Sequence, residues 1–125
     1  MQTISVIGGS GELGGGLALR WAKAGLPVII GSRDAGRAGE VANQLNKAAG
    51  NDRAKGMDNL AAAKAGDIVV LAIKFSHHTK TLTELKDALA GKILVDTTVP
   101  LVPPKVARVQ LPKEGSAAVI AQQFA

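Results

Sequence analysis

The sequence predicts a doubly wound α/β fold, in which a parallel sheet carries helices on both faces. Two observations predict it. Short apolar runs rich in β-branched residues alternate with stretches of helical periodicity along most of the chain. Between the first such run and the first helical stretch lies "GGSGELGGG", where six of the nine residues from Gly8 to Gly16 are glycine.

Taken in order, Thr3 to Ile7 is a β-branched run closed by glycines, and it reads as a buried strand. Leu13, Leu17 and Trp21 recur every fourth residue and mark a helix that stops at Gly25, with Pro27 just beyond. Val28 to Ile30 gives a second strand. Ala38, Val41, Ala42 and Leu45 mark a second helix, with Asp34 as its N-cap and Gly50 at its end. Lys55 to Met57 leaves room for a short third strand. "DNLAAAKAG" is a brief helix capped by Asp58 and stopped by Gly66. "IVVLAI", Ile68 to Ile73, is the most apolar run and reads as a central strand. Leu82, Leu85 and Leu89 carry the next helix face, and "KILVD" from Lys92 supplies a fifth strand. The remainder holds four of the five prolines and a short helix signal near its end, with room for one extra edge strand. Right-handed crossovers favour the strand order 3-2-1-4-5. Ligands of such sheets sit beyond the carboxyl ends of the strands where the order reverses, here between strands 1 and 4. The loops after Ile7, Ile73 and Asp96 converge there.

Bulk properties narrow the function. A chain of 125 residues is read as one domain over 1–125, long enough to bury about two thirds of its unfolded surface. Hydrophobic residues make up 46% and charged residues 20%, an ordinary globular balance. No apolar run approaches the ~20 residues of a membrane span, and no secretion signal opens the chain, so a cytoplasmic protein without a membrane partner is expected. The absence of cysteine excludes disulfides, thiolate nucleophiles and cysteine-held metals. The net charge of +5 admits an anionic ligand. Nucleic acid is not expected, because the chain has only two phenylalanines and one tryptophan for stacking and no dense basic block.

"GSGELG" matches G-x-G-x-x-G at Gly9, Gly11 and Gly14, after a strand and before a helix. On this reading Gly9 makes the tight turn, Gly11 lets a pyrophosphate approach the backbone, and Gly14 lets helix and strand pack closely. The N–H groups of the helix start, at Glu12 and Leu13, then face the diphosphate. The alternative is a Gly-rich turn with a structural role only. A dinucleotide with a free ribose 2′-hydroxyl usually meets a carboxylate at the end of strand 2. Here that strand ends at Gly31 and "SRDAGR" follows. Ser32 offers a hydroxyl, Arg33 a bidentate phosphate partner, and Arg37 a second cation one turn on, which favours NADP(H) over NAD(H). Asp34, the rival acid, is assigned to the N-cap; Arg33 and Arg37 as solvated surface charge is the alternative.

The Tyr-Lys arrangement of one class of carbonyl reductases is impossible in a chain without tyrosine. His77 and His78 are the only histidines. They lack a carboxylate cluster and make a poor metal site, so no metal is expected. His77 either lines the pocket or sits at the entrance of the helix after strand 4, and Phe75 either contacts a flat ring or fills the core.

"ISVIGGSGELGGGLALR", "VIIGSRD", "GMDN", "DIVVLAI", "GKILVD", "VPL" and "EGSAA", in this order, resemble the N-terminal domain of deazaflavin-dependent NADP reductases. The resemblance covers nearly the whole chain. It implies a Rossmann-like NADP(H)-binding domain of an oxidoreductase that passes a hydride between NADP(H) and a deazaflavin coenzyme as co-substrate. It implies that Ser10, Ser32, Arg33 and Arg37 surround the 2′-phosphate. The end of strand 4, Ala72 and Ile73, with Lys74 in the loop after it, and the "VPL" loop, Val99, Pro100 and Leu101, would flank nicotinamide and deazaflavin, joined by Phe75 and His77. The hydride passes directly between the cofactors, so no catalytic side chain is assigned.

Two features depart from the family. Lys74 stands where a proline is usual, and the chain as given stops at Ala125, before the family's helical C-terminal region, so an isolated domain, a shortened relative or one part of a split assembly is expected. A homodimer or a helical partner region is therefore expected, with apolar surface around Val99, Leu101 and Val102. A non-catalytic NADP(H)-sensing module and a reductase of another acceptor, a flavin or quinone, are the alternatives.

Overall fold

The computed structural model describes residues 2–97. These form a five-stranded, wholly parallel sheet in the order β3-β2-β1-β4-β5. The elements follow the chain as β1 (Ile4–Ile7), α1 (Glu12–Lys23), β2 (Val28–Ser32), α2 (Ala35–Ala49), β3 (Ala54–Asp58), α3 (Asn59–Ala65), β4 (Ile68–Leu71), α4 (His78–Leu85) and β5 (Ile93–Asp96). Single 3₁₀ turns, Phe75–His77 and Lys86–Leu89, flank α4. The expected doubly wound fold and its strand order are therefore present. The extra edge strand, and Val99, Pro100, Leu101 and Val102, lie outside the described residues.

The register is simple. Ile4 pairs with Val28 on one side and Ile68 on the other, and Ile7 with Gly31 and Leu71. Alternation along the strands divides the core in two. Val6, Val28 and Ile30 pack under α1 and α2, while Ile7, Ile29, Val69 and Leu71 pack under α3 and α4. Leu82, Leu85 and Leu89 are buried, as the leucine spacing predicts. Val6, Ile7, Ile30 and Leu71 have no exposed surface, as strands covered on both sides require.

Local signals stop and start the helices where the sequence puts them. The Asp34 carboxylate accepts from the Gly36 and Arg37 N–H groups at 2.9 and 3.3 Å, and that of Asp58 accepts from Ala61 N–H at 2.9 Å. Gly50 closes α2 in the left-handed region at φ 72°.

The face of α1 differs from the simplest reading of its periodicity. Leu13, Leu17 and Trp21 run one residue off the buried stripe, which consists of Gly14, Ala18 and Ala22, and Leu13 is 57% exposed. The reason is steric. A Cβ on Gly14 would lie 2.6 Å from the Gly8 carbonyl oxygen, so α1 can settle on the β1 turn only through small residues. Gly16 in α1 and Gly39 in α2 have no such duty. A Cβ on Gly16 or Gly39 would meet nothing within 4 Å. Gly16→Ala and Gly39→Ala are each expected to raise stability by about 0.5–1 kcal/mol, through the backbone entropy glycine loses in a helix. Gly14→Ala is expected to lower it. Chemical denaturation of the three variants checks the opposite signs.

Candidate functional site

The carboxyl ends of β1, β2 and β4 open onto a cleft of about 320 Å³. Its floor is the turn between β1 and α1. Gly8 has φ +78°, and a Cβ there would collide with the Ala72 carbonyl, so glycine is required on both grounds. The Gly8 and Gly9 N–H groups both donate to the Gly31 carbonyl at 3.0 Å, which ties the turn to the end of β2. The left-handed residue is thus Gly8 and not Gly9, the first glycine of the motif. A Cβ on Gly9 would press on Ile30 and the Val6 carbonyl, and Gly9 packs inward.

Gly11 behaves differently. Its backbone is extended, at φ −81° and ψ 173°, and a Cβ there would touch only the Gly8 carbonyl oxygen, at 3.4 Å. The surface above it is open cleft. Gly11 also begins α1 with no side-chain cap, which leaves the first N–H groups of a twelve-residue helix to outside acceptors. Glu12 and Leu13 lie exposed at that start, beside the cleft rather than in its lining.

At the end of β2, Ser32 is buried and its hydroxyl oxygen accepts from the Ser10 hydroxyl at 3.4 Å and from Asp34 N–H at 3.3 Å. Ser10, Ser32 and Arg33 all line the cleft. No carboxylate lines the cleft there: Asp34 lies outside the lining, and its Oδ1 accepts the α2 cap bonds. Arg37 lies one turn along α2 outside the lining, and its guanidinium reaches the Glu40 carboxylate at 3.9 Å with both side chains largely exposed.

The opposite wall comes from the loop after β4. The strand ends at Leu71, two residues before the sequence reading, which frees Ala72, Ile73 and Lys74 to line the cleft together with His77. Lys80, Thr81 and Glu84 continue that wall along α4, at the spacing of one helix face, and Asn59 closes the side beneath β2. These four were missed. The spacing of 77, 80, 81 and 84 carries the signal for the α4 residues; nothing local marks Asn59. Arg33, Lys74 and Lys80 give the cleft an excess of positive charge over Glu84.

The two histidines separate. His77 is exposed and faces the cleft, whereas His78 is buried, and its Nε2 lies 2.7 Å from the Asp96 carboxylate at the end of β5. Phe75 is half-buried and stacks on His78, with ring centres 6.0 Å apart, and does not line the cleft. The pair joins the start of α4 to the end of β5. Thr97 extends the join by donating its N–H and its hydroxyl to the Leu71 carbonyl, at 3.0 and 2.6 Å. Among the described residues, no group of three or more His, Asp or Glu side chains is placed to hold a metal ion, and no helix is long and apolar enough to cross a membrane.

Comparison with known proteins agrees with this geometry. The model of a family described as "NADP oxidoreductase coenzyme F420-dependent" matches residues 3–100. The chain is similar to the F420-dependent NADP reductase of Methanothermobacter thermautotrophicus, 44% identical over 103 residues, covering 81% of this chain and 44% of that protein. The corresponding protein of Methanocaldococcus jannaschii is 37% identical over 126 residues, covering 95% of this chain and 56% of its own length. The chain thus spans about half the length of the curated relatives it matches. Among solved structures, a lactate dehydrogenase from Eimeria maxima with NADH and oxamate shares the fold, with a TM-score of 0.71 at 15% identity over 99% of this chain and 40% of that one.

Proposed function

The chain belongs to the coenzyme F420-dependent NADP oxidoreductase family, and from that premise we propose that it binds NADP(H) in the glycine-floored cleft for hydride transfer to or from a deazaflavin coenzyme. One observation carries the choice of NADP(H): at the end of β2, two hydroxyls and Arg33 line the cleft and the neighbouring acid is committed to a helix cap. A 2′-phosphate suits that donor set, whereas a ribose hydroxyl seeking a carboxylate does not.

When bound, the two coenzymes supply the redox chemistry, a hydride moving between nicotinamide and deazaflavin rings. The residues of the chain do the rest. Gly11 leaves room for the diphosphate at the uncapped start of α1, where backbone N–H groups receive its charge. Ser10, Ser32 and Arg33 hold the adenosine phosphate. Ala72, Ile73 and Lys74 form a wall against the nicotinamide half, and His77 and Lys80 flank the entry of the second ring. Orientation is the protein's main contribution, since bringing two rings into reacting geometry supplies about 7–11 kcal/mol of the barrier at best. We take the unit to be one dinucleotide-binding domain working in the cytoplasm, as a homodimer or with a helical partner region.

The test is spectroscopic. NADPH added to the protein with an 8-hydroxy-5-deazaflavin should bleach the deazaflavin absorbance slowly, and faster once a helical partner region is supplied in cis or trans, and flavin or quinone in its place should react far more slowly still. Preferential reduction of flavin or quinone would overturn the choice of acceptor. Tight NADPH binding with no reduction of any acceptor, even with a helical partner region supplied, would make the chain a sensor of NADP(H).

A further inference from the structure

Asn59 is the first residue of α3 and lines the cleft beside Ser32 and Arg33. Its Oδ1 is buried and, among the described residues, has no hydrogen-bond partner. The side chain is not needed to start its helix, because Asp58 already caps it. Its place is set by the end of β2: a Cβ built on Gly31 would come 3.0 Å from that oxygen, so Asn59 reaches over the strand where the adenosine half of a dinucleotide lies in folds of this kind. A buried acceptor without a partner is costly, and folds rarely keep one without a use.

We propose that Asn59 is a specificity-determining residue whose amide turns about its Cβ–Cγ bond when NADP(H) binds, so that Oδ1 leaves its buried place over Gly31 and accepts a hydrogen bond from the adenosine half, an inference that rests on the dinucleotide reading above. The acceptor requires a donor. On that half of the molecule the 2′ oxygen carries the phosphate, so the neutral donors are the ribose 3′-hydroxyl and the 6-amino group of adenine. Both present the same chemistry to Asn59, an N–H or O–H beside the strand end.

The experiment is calorimetric titration of the full chain and of Asn59→Leu, a near-isosteric change without polar atoms, with Asn59→Ala as a second variant. The ligands are NADPH, its hypoxanthine analogue, which lacks the 6-amino group, and its 3′-deoxy analogue. Both variants are expected to bind NADPH about 5- to 20-fold more weakly, the size of one hydrogen bond that is lost on a desolvated site. For the analogue that lacks the bonded donor, the difference between wild type and variant should vanish, which identifies the donor. Thermal unfolding of unliganded Asn59→Leu should be unchanged or raised, because the substitution removes a buried group that has no partner in the unliganded fold. A structural role would lower it.

Wild-type affinity retained in both variants would overturn the proposal while leaving NADP(H) binding intact. So would a variant penalty that persists in full with both analogues. Failure of the wild type itself to bind NADPH would overturn the dinucleotide reading, and this inference with it.

Discussion

Gly11→Val is expected to leave the fold standing and to abolish binding of both NADPH and NADH. The backbone of Gly11 is extended, so a β-branched residue meets no conformational penalty there, and its Cβ would make one ordinary contact, 3.4 Å from the Gly8 carbonyl oxygen. The two methyl groups must then project into the cleft above the uncapped start of α1, the space assigned to the diphosphate. Unfolding free energy should stay within about 0.5 kcal/mol of wild type, as for substitutions that touch nothing in the core. Affinity should fall by about a hundredfold or more, equivalent to roughly 3 kcal/mol. Gly8→Val makes the informative contrast, since φ +78° and the Ala72 carbonyl predict loss of both fold and binding. A folded Gly11→Val protein with wild-type NADPH affinity would show that the glycine turn serves the fold alone.

Arg33→Ala carries the second large effect. The wild-type protein is expected to prefer NADPH to NADH by about 1.5–3 kcal/mol, the range of a charge-assisted contact, and the substitution should erase most of that preference. The loss should fall on NADPH, with NADH affinity changed by no more than about twofold, because only the 2′-phosphate distinguishes the two ligands. Raising the salt concentration should narrow the wild-type preference, as an exposed guanidinium is screened. Arg37→Ala should cost less, about 1 kcal/mol at most, because Arg37 stands outside the cleft and leans toward Glu40. Paired titrations with NADPH and NADH at two salt concentrations measure all of this. Equal wild-type affinities for the two ligands would remove the case for a phosphate site at β2.

Local chemistry wrote most of the fold. Short apolar runs such as "ISVI" and "IVVL" specify buried parallel strands, Asp34 and Asp58 announce helix starts three residues ahead of the N–H groups they receive, and Gly50 ends a helix within its own turn. Handedness of the crossovers then leaves one economical strand order, and the glycine run points to the end of β1. The sequence by itself therefore determined the fold class, the position of the cleft and the serine and arginine at the end of β2.

What the tertiary structure decided are the relations between distant segments. Gly8 became the turn residue because Ala72 arrives beside it from the neighbouring strand. The stripe of α1 shifted from leucines to Gly14, Ala18 and Ala22 because the helix must approach that turn. His78 went inward to Asp96, 18 residues away, while its neighbour His77 faced the cleft. Asn59 gained its place from the end of β2, and Arg37 lost the cleft to its exposed turn beside Glu40. Periodicity and caps are properties of a few consecutive residues, so a sequence displays them directly. Close approach, burial and an unpaired acceptor depend on which strands become neighbours, and only the assembled sheet brings those atoms together.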